Sequence, residues 1–254
     1  MKFGLLTFNT LFRGDSRARI QALGRLLDES PYDVVCLQEV ISPLNLMALR
    51  RAARSYPHVA HGPVVPLVPL VHGGLVTLSR HPITRRYFRP YTFVGPARPE
   101  RFMRKGVLLA RVRFGKEHLT VANTHLSANK TDDWSRTNPY AQVEASELAE
   151  LAGLLAHPTL TDPLVVAGDF NVPRDSPIFR EFVGAAGLRD MLDGDPATTY
   201  RPTAELPHPK PIDQILASPF LRANTSLVFK EEVVLPGGRF MYLSDHYGVA
   251  ANFL

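Results

Sequence analysis

Leu164-Val165-Val166-Ala167-Gly168-Asp169-Phe170-Asn171 joins an apolar run to a polar end, and the reading of the fold turns on this junction. Four consecutive apolar residues rich in valine suit a strand covered on both faces. A carboxylate at the end of such a strand is costly to bury unless it is paired or meets a cation. The arrangement recurs outward in both directions. Asn9 follows Leu5-Leu6-Thr7-Phe8, Gln38-Glu39 follows Val34-Val35-Cys36-Leu37, and Thr124-His125 follows Leu119-Thr120-Val121-Ala122-Asn123. Ser244-Asp245-His246 stands just before Tyr247-Gly248-Val249-Ala250. Each has an ordinary explanation when taken singly: Glu39 as a helix-start carboxylate, Asp169 and Asn171 as turn formers, His125 as a satisfied core histidine, Asp213 as a loop cap. Five polar strand ends in one chain predict a shared cleft.

Around these ends, strands are predicted over 3–9, 33–38, 74–79, 106–113, 119–124, 164–167, 212–217 and 247–252. A helix is predicted after Asn138-Pro139, a capping residue followed by proline at the first helical position, with Ala145, Leu148, Ala152 and Leu155 on one face. A second runs from Ser16 to about Glu29, with Ile20, Leu23 and Leu27 inward. No linker-like stretch divides the chain, so residues 1–254 read as one domain of sheets packed together with helices outside. The 254 residues are 45% hydrophobic and 21% charged, too apolar for disorder. Single Cys36 excludes a disulfide framework and leaves no cysteine-based zinc site. No apolar run approaches the length of a membrane span. The opening Met1–Asn9 is too short an apolar stretch for a signal peptide, which predicts a cytoplasmic protein, or a secreted one where an export signal precedes it.

The ordered set Asn9, Gln38-Glu39, Gly73-Gly74 leading to Leu78-Ser79-Arg80, Thr124-His125-Leu126, Gly168-Asp169-Phe170-Asn171, Ile212-Asp213 and Ser244-Asp245-His246 resembles the endonuclease/exonuclease/phosphatase superfamily. The resemblance spans residues 3–252. It implies a four-layered α/β sandwich, two packed β-sheets flanked by helices, and hydrolysis of phosphoesters with Mg²⁺, for which Mn²⁺ is a possible substitute. By the same resemblance Glu39 is the first metal ligand, with Asn9 and Asp245 nearby. That donor set suits a hard cation that prefers oxygen and keeps several waters. The resemblance further implies that Asp169 and Asn171 orient or activate the attacking water. It gives His125 a hydrogen bond to a phosphoryl oxygen and lets Asp213 fix the tautomer of a catalytic His246. Either Asp169 or His246 takes the proton on this reading.

The substrate is left open between classes. Lys105-Gly106-Val107 and the run Thr124–Asn129 ahead of the Asn138 helix look similar to neutral sphingomyelinases. Abasic-site nucleases carry a carboxylate two residues after the strand-end asparagine, where this chain has Leu11. The apolar, proline-broken stretch 63–72 reads as a loop that either packs on the protein or dips into a lipid surface. Residues 80–118 carry a net +9 against −4 for the remainder, with Tyr87, Phe88, Tyr91, Phe93 and Phe102 among the arginines. Such a segment suits an anionic partner, a bilayer surface or single-stranded nucleic acid, or is simply a solvated face. The leading expectation is a phosphodiesterase cleaving a phospholipid head group. A nuclease or inositol phosphate phosphatase is the alternative, and a silent scaffold of the same fold is a third reading. The oligomeric state is not readable from the sequence.

Overall fold

The computed structural model describes residues 1–64, 69–92, 95 and 102–254. Residues 65–68 of the apolar loop, and Phe93, Arg98 and Arg101 of the basic segment, lie outside the described residues. In chain order the elements are β1 Phe3–Asn9, α1 Ser16–Asp28, β2 Val34–Gln38, α2 Pro43–Ala52, β3 His58–His61, β4 Val76–Ser79, β5 Ile83–Pro90, β6 Gly106–Phe114 and β7 Glu117–His125. They continue with α3 Pro139–Leu155, β8 Leu164–Asp169, α4 Pro177–Ala186, β9 Arg189–Asp190, β10 Asp213–Ala217, β11 Ala223–Val228, β12 Val233–Val234, β13 Phe240–Met241 and β14 Gly248–Phe253.

Two six-stranded mixed sheets, in the orders β11-β14-β1-β2-β4-β3 and β5-β6-β7-β8-β10-β9, pack face to face. Each contains one parallel pair, β1–β2 joined through α1 and β7–β8 joined through α3. A parallel pair needs a crossover, and here a helix supplies it. Strand residues alternate between two cores, as the two-residue period demands. Leu5, Val34 and Cys36 meet Val121, Val165 and Ile215 between the sheets. Leu6, Phe8 and Leu37 face Ile20, Leu23 and Leu49 of α1 and α2, while Val166 and Leu216 face Leu148, Leu151 and Phe179 of α3 and α4. The result is the expected four-layered sandwich. Asn138 caps α3 as predicted, its side chain accepting from the amides of Tyr140 at 2.9 Å and Ala141 at 3.3 Å.

The expected strands and both expected helices are present with ends shifted by a few residues. α2, α4, β3, β5 and β11 were not anticipated. β5 carries Arg85, Arg86 and Arg89 on a largely exposed sheet edge, so pairing with β6 makes it a strand in spite of its composition. At the root of the 63–72 loop, Val64 bridges to Val71, and buried Val71 donates to the Ile41 carbonyl at 2.8 Å.

Cys36 lies between the sheets, where burial pushes its thiol up to about 12. The native protein at pH 8 should therefore not react with a thiol reagent such as DTNB and should react fully in guanidinium chloride; prompt labelling of the native chain would show that this core is open.

Candidate active site

The parallel pairs end at one edge of the sandwich, and the antiparallel neighbours begin there. Asn9 pairs with Gln38 at the ends of β1 and β2, and His125 pairs with Asp169 at the ends of β7 and β8. Asp213 opens β10 directly opposite Asp169. Asp245 and His246 arrive just ahead of β14, which runs antiparallel to β1. Two glycines permit the close approaches. A Cβ on Gly168 would lie 2.0 Å from the Thr124 carbonyl oxygen, and one on Gly74, at φ +61°, would lie 3.0 Å from the Glu39 Cα.

A hydrogen bond from Asn9 Nδ2 to Asp169 Oδ2 at 2.9 Å joins the two halves. Asp169 is buried and central. His125 Nε2 stands 3.3 Å and His246 Nε2 3.8 Å from its Oδ2, and its Oδ1 accepts from the Asn171 amide at 2.9 Å. His246 Nδ1 donates to Asp213 Oδ2 at 2.9 Å. Burial opposes ionisation of Asp169, but His125, His246 and Lys105 more than offset it and hold the carboxyl well below its usual range. Burial also opposes a charge on His246. Asp213 and Asp169 override it and raise the imidazole to about 10, while burial pushes Asp213 itself upward. The centre is thus an ionised Asp169 beside a cationic His246.

Glu39 and Asp245 stand at the more open side. Glu39 adopts φ +64°, turning its side chain so that Oε2 accepts from the Phe12 amide at 2.8 Å. Asp245 accepts from the Tyr200 hydroxyl at 2.8 Å and from the Ser244 hydroxyl at 3.1 Å. Burial first, and then Asp245, Asp169 and Glu39, raise the Tyr200 hydroxyl, so all three acids act on one phenol. Two donor groups fit a cation differently. Asp169, Asp213 and His246 offer ligand atoms within 4.8 Å of one another, yet they are buried and already bonded among themselves. Glu39, Asn9 and Asp245 are oxygen donors, with Glu39 partly open to solvent, which suits a hydrated hard cation.

All eight residues singled out from the sequence therefore gather at this edge. His125 differs in detail: at 1% exposure its Nε2 faces Asp169, so in this arrangement it braces the carboxylate rather than projecting outward. Asn171 is likewise held, its side-chain amide donating to the Leu126 carbonyl at 2.9 Å.

Four supporting residues were not foreseen. Tyr200 also packs its ring edge-on to His246 at 4.8 Å. Lys105 donates to the Leu126 carbonyl at 2.7 Å. Arg19 of α1 donates to the carbonyls of Thr10, Leu11, Arg13 and Leu243, tying the exit of β1 to the Asp245 loop. Asn123 receives the Gln38 amide at 2.8 Å and donates to the carbonyls of Leu37 at 3.1 Å and Val76 at 3.0 Å, crossing the inter-sheet layer. The signals available were a polar Asn123 inside an apolar strand and Lys105 at the head of Lys105-Gly106-Val107.

Residues 6–246 match the Endonuclease/Exonuclease/phosphatase family, and the chain belongs to it. Members of that family are hydrolases acting on phosphoester bonds. The chain is 24% identical over 278 residues to a Drosophila melanogaster protein whose name marks it as a candidate neutral sphingomyelinase. The match covers 99% of this chain and 60% of that relative, so the chain spans less than two thirds of the relative's length. Among solved structures, SmcL superposes with a TM-score of 0.81 at 17% identity, covering 99% of this chain and 98% of SmcL. Sphingomyelinase C from Streptomyces griseocarneus gives 0.76 at 20% identity, covering 99% of each chain. These likenesses establish the shared fold.

Replacing Asn123 with leucine would remove the Gln38 amide's bond across the layer, leaving it those to Thr7 Oγ1 and the Cys36 carbonyl, and would take a donor from the Leu37 and Val76 carbonyls. Urea unfolding should report a loss of about 2–4 kcal/mol with an unchanged m value; a neutral substitution would show that the two sheet ends are not held together through this residue.

Proposed function

We propose that this chain is a divalent-metal-dependent phosphodiesterase that hydrolyses a phospholipid head group, as its sphingomyelinase-like relatives suggest. The observation that carries the reading is the Asn9–Asp169 hydrogen bond. It couples the oxygen-donor half of the edge, Asn9 and Glu39, to the proton-transfer half, Asp169 and His246.

Glu39, with Asn9 and Asp245, would hold Mg²⁺, which when bound neutralises charge on a phosphoryl oxygen and on the leaving group. Mn²⁺ would substitute. Asp169, kept ionised by its histidine neighbours, accepts the proton of a water that Asn171 helps to orient. His246, fixed by Asp213 through Nδ1, presents Nε2 as a cationic donor to the charge that grows on the phosphoryl group. His125 and Lys105 keep Asp169 charged inside an apolar surround. A lipid substrate is supported by exposed side chains bordering the site. Val234 on β12 and Phe240 on β13 are 56% and 68% exposed on the hairpin preceding Ser244-Asp245-His246, and Phe12 is 39% exposed beside Glu39. An apolar rim of this kind suits an interfacial substrate. Among the described residues no helix is long and apolar enough to cross a membrane.

The test is release of phosphocholine from sphingomyelin micelles with Mg²⁺ and with EDTA, beside lysophospholipid, inositol phosphates, abasic DNA and poly(A). Cleavage of the phospholipid that EDTA abolishes is expected; inertness on every phospholipid, or cleavage confined to nucleic acid, would overturn the substrate assignment. In the same assay Asp169→Asn and His246→Ala should each lose about a hundredfold or more in kcat. Glu39→Gln should instead recover in part as Mg²⁺ is raised, and an unchanged metal dependence would contradict its role as ligand.

A further inference from the structure

Away from the catalytic edge, β3 and β5 are edge strands of different sheets and lie against each other on one flank of the sandwich. Between them is a hollow of about 430 Å³ lined by residues that include Arg50 from α2, His58 and His61 from β3, and Arg85 and Arg86 from β5, the last two also bordering a neighbouring hollow with Asp162. No carboxylate lines the hollow between the strands.

Other arginines of the chain have visible structural work. Arg111 forms a two-point ion pair with Asp162, Arg80 donates to the carbonyls of Ser30 and Tyr32, and Arg201 lies between the rings of Tyr242 and Tyr247. The side chains of Arg50, Arg85 and Arg86 form no ion pair or hydrogen bond among the described residues, although all three residues line one concave surface. Like charges gathered in a hollow repel one another and focus a positive potential there. A guanidinium presents a fork of donors that matches phosphate oxygens, and several around one hollow would satisfy a multiply charged phosphate. Charged edge strands also discourage sheet-to-sheet association. That role asks nothing of the Arg50 side chain on a helix or of the two histidines opposite.

The geometry points to a second, non-catalytic anion site on this flank that binds a multiply charged phosphate group, either free or as a lipid head group. Arg86 pairs with Ala110, four residues along β6 from Gly106, which itself pairs with His125. At about 3.3 Å per residue the hollow therefore lies about 13 Å down the flank from the catalytic edge. It is separate from the hydrolytic centre and does not depend on its substrate.

The experiment is calorimetric titration of the full chain with inorganic pyrophosphate in EDTA at fixed ionic strength, repeated on Arg85→Gln/Arg86→Gln and on His246→Ala, with circular dichroism to confirm folding. Saturable binding is expected, at least about tenfold weaker in the double arginine variant and unchanged in His246→Ala. Co-sedimentation with phosphatidylcholine vesicles with and without phosphatidic acid distinguishes the sources. Retention on the phosphatidic acid vesicles that the arginine variant loses assigns a lipid head group, and pyrophosphate binding without such retention assigns a free phosphate. The site is overturned if the wild type binds neither probe, if the arginine variant binds as tightly as the wild type, or if His246→Ala abolishes binding.

Discussion

The hydrogen bond between Asn9 and Asp169 depends on a constraint that governs the whole molecule: two parallel strand pairs, in two different sheets, must finish at the same height. Each pair is one strand–helix–strand unit, and the packed layer between the sheets fixes their relative position. A slip of one residue in β1 or β8 would turn the terminal side chain to the opposite face. The polar crossing at Gln38 and Asn123 sits one layer below the site and resists such a slip, because either sheet shifting alone would part the buried Asn123 amide from the Leu37 and Val76 carbonyls.

The electrostatics follow from that placement. Asp169 and Asp213 are buried beyond the reach of bulk water and would be costly as lone charges. His125 and His246 face them, and Lys105 adds its field. The charge needed to keep Asp169 ionised inside an apolar surround comes from the protein itself. Acids on the more open side, Glu39 and Asp245, accept from the Phe12 amide and from the Tyr200 and Ser244 hydroxyls, with the Arg19 guanidinium within electrostatic reach of both. On the proposed function this division separates a proton-handling interior from a cation-holding rim.

Much of the arrangement was legible in the chain because its costs are visible there. Strands apolar on both faces announce burial, and a polar residue at the end of each has to be explained by a partner, which pointed to a shared cleft, while the family resemblance added Asp213 and the individual roles. Elements whose stability comes from tertiary pairing were silent. β5 is an arginine-rich edge strand, and α4 buries only Ile178, Phe179 and Phe182. Tyr200 and Arg19 gave no signal, since their roles lie in side-chain bonds to loops distant in sequence. The orientation of His125 toward Asp169 is likewise a matter of packing depth, which motif order does not encode.

The account requires one cation held at the rim by groups from β1, β2 and the 244–246 turn, within reach of Asp169. Anomalous diffraction from crystals soaked in Mn²⁺ tests this most directly. The expected result is a peak at ligand distance from a Glu39 carboxylate oxygen, with Asn9 or Asp245 completing the protein ligands. A peak coordinated by Asp213 and His246 and remote from Glu39, or no ordered peak at the edge at all, would contradict it.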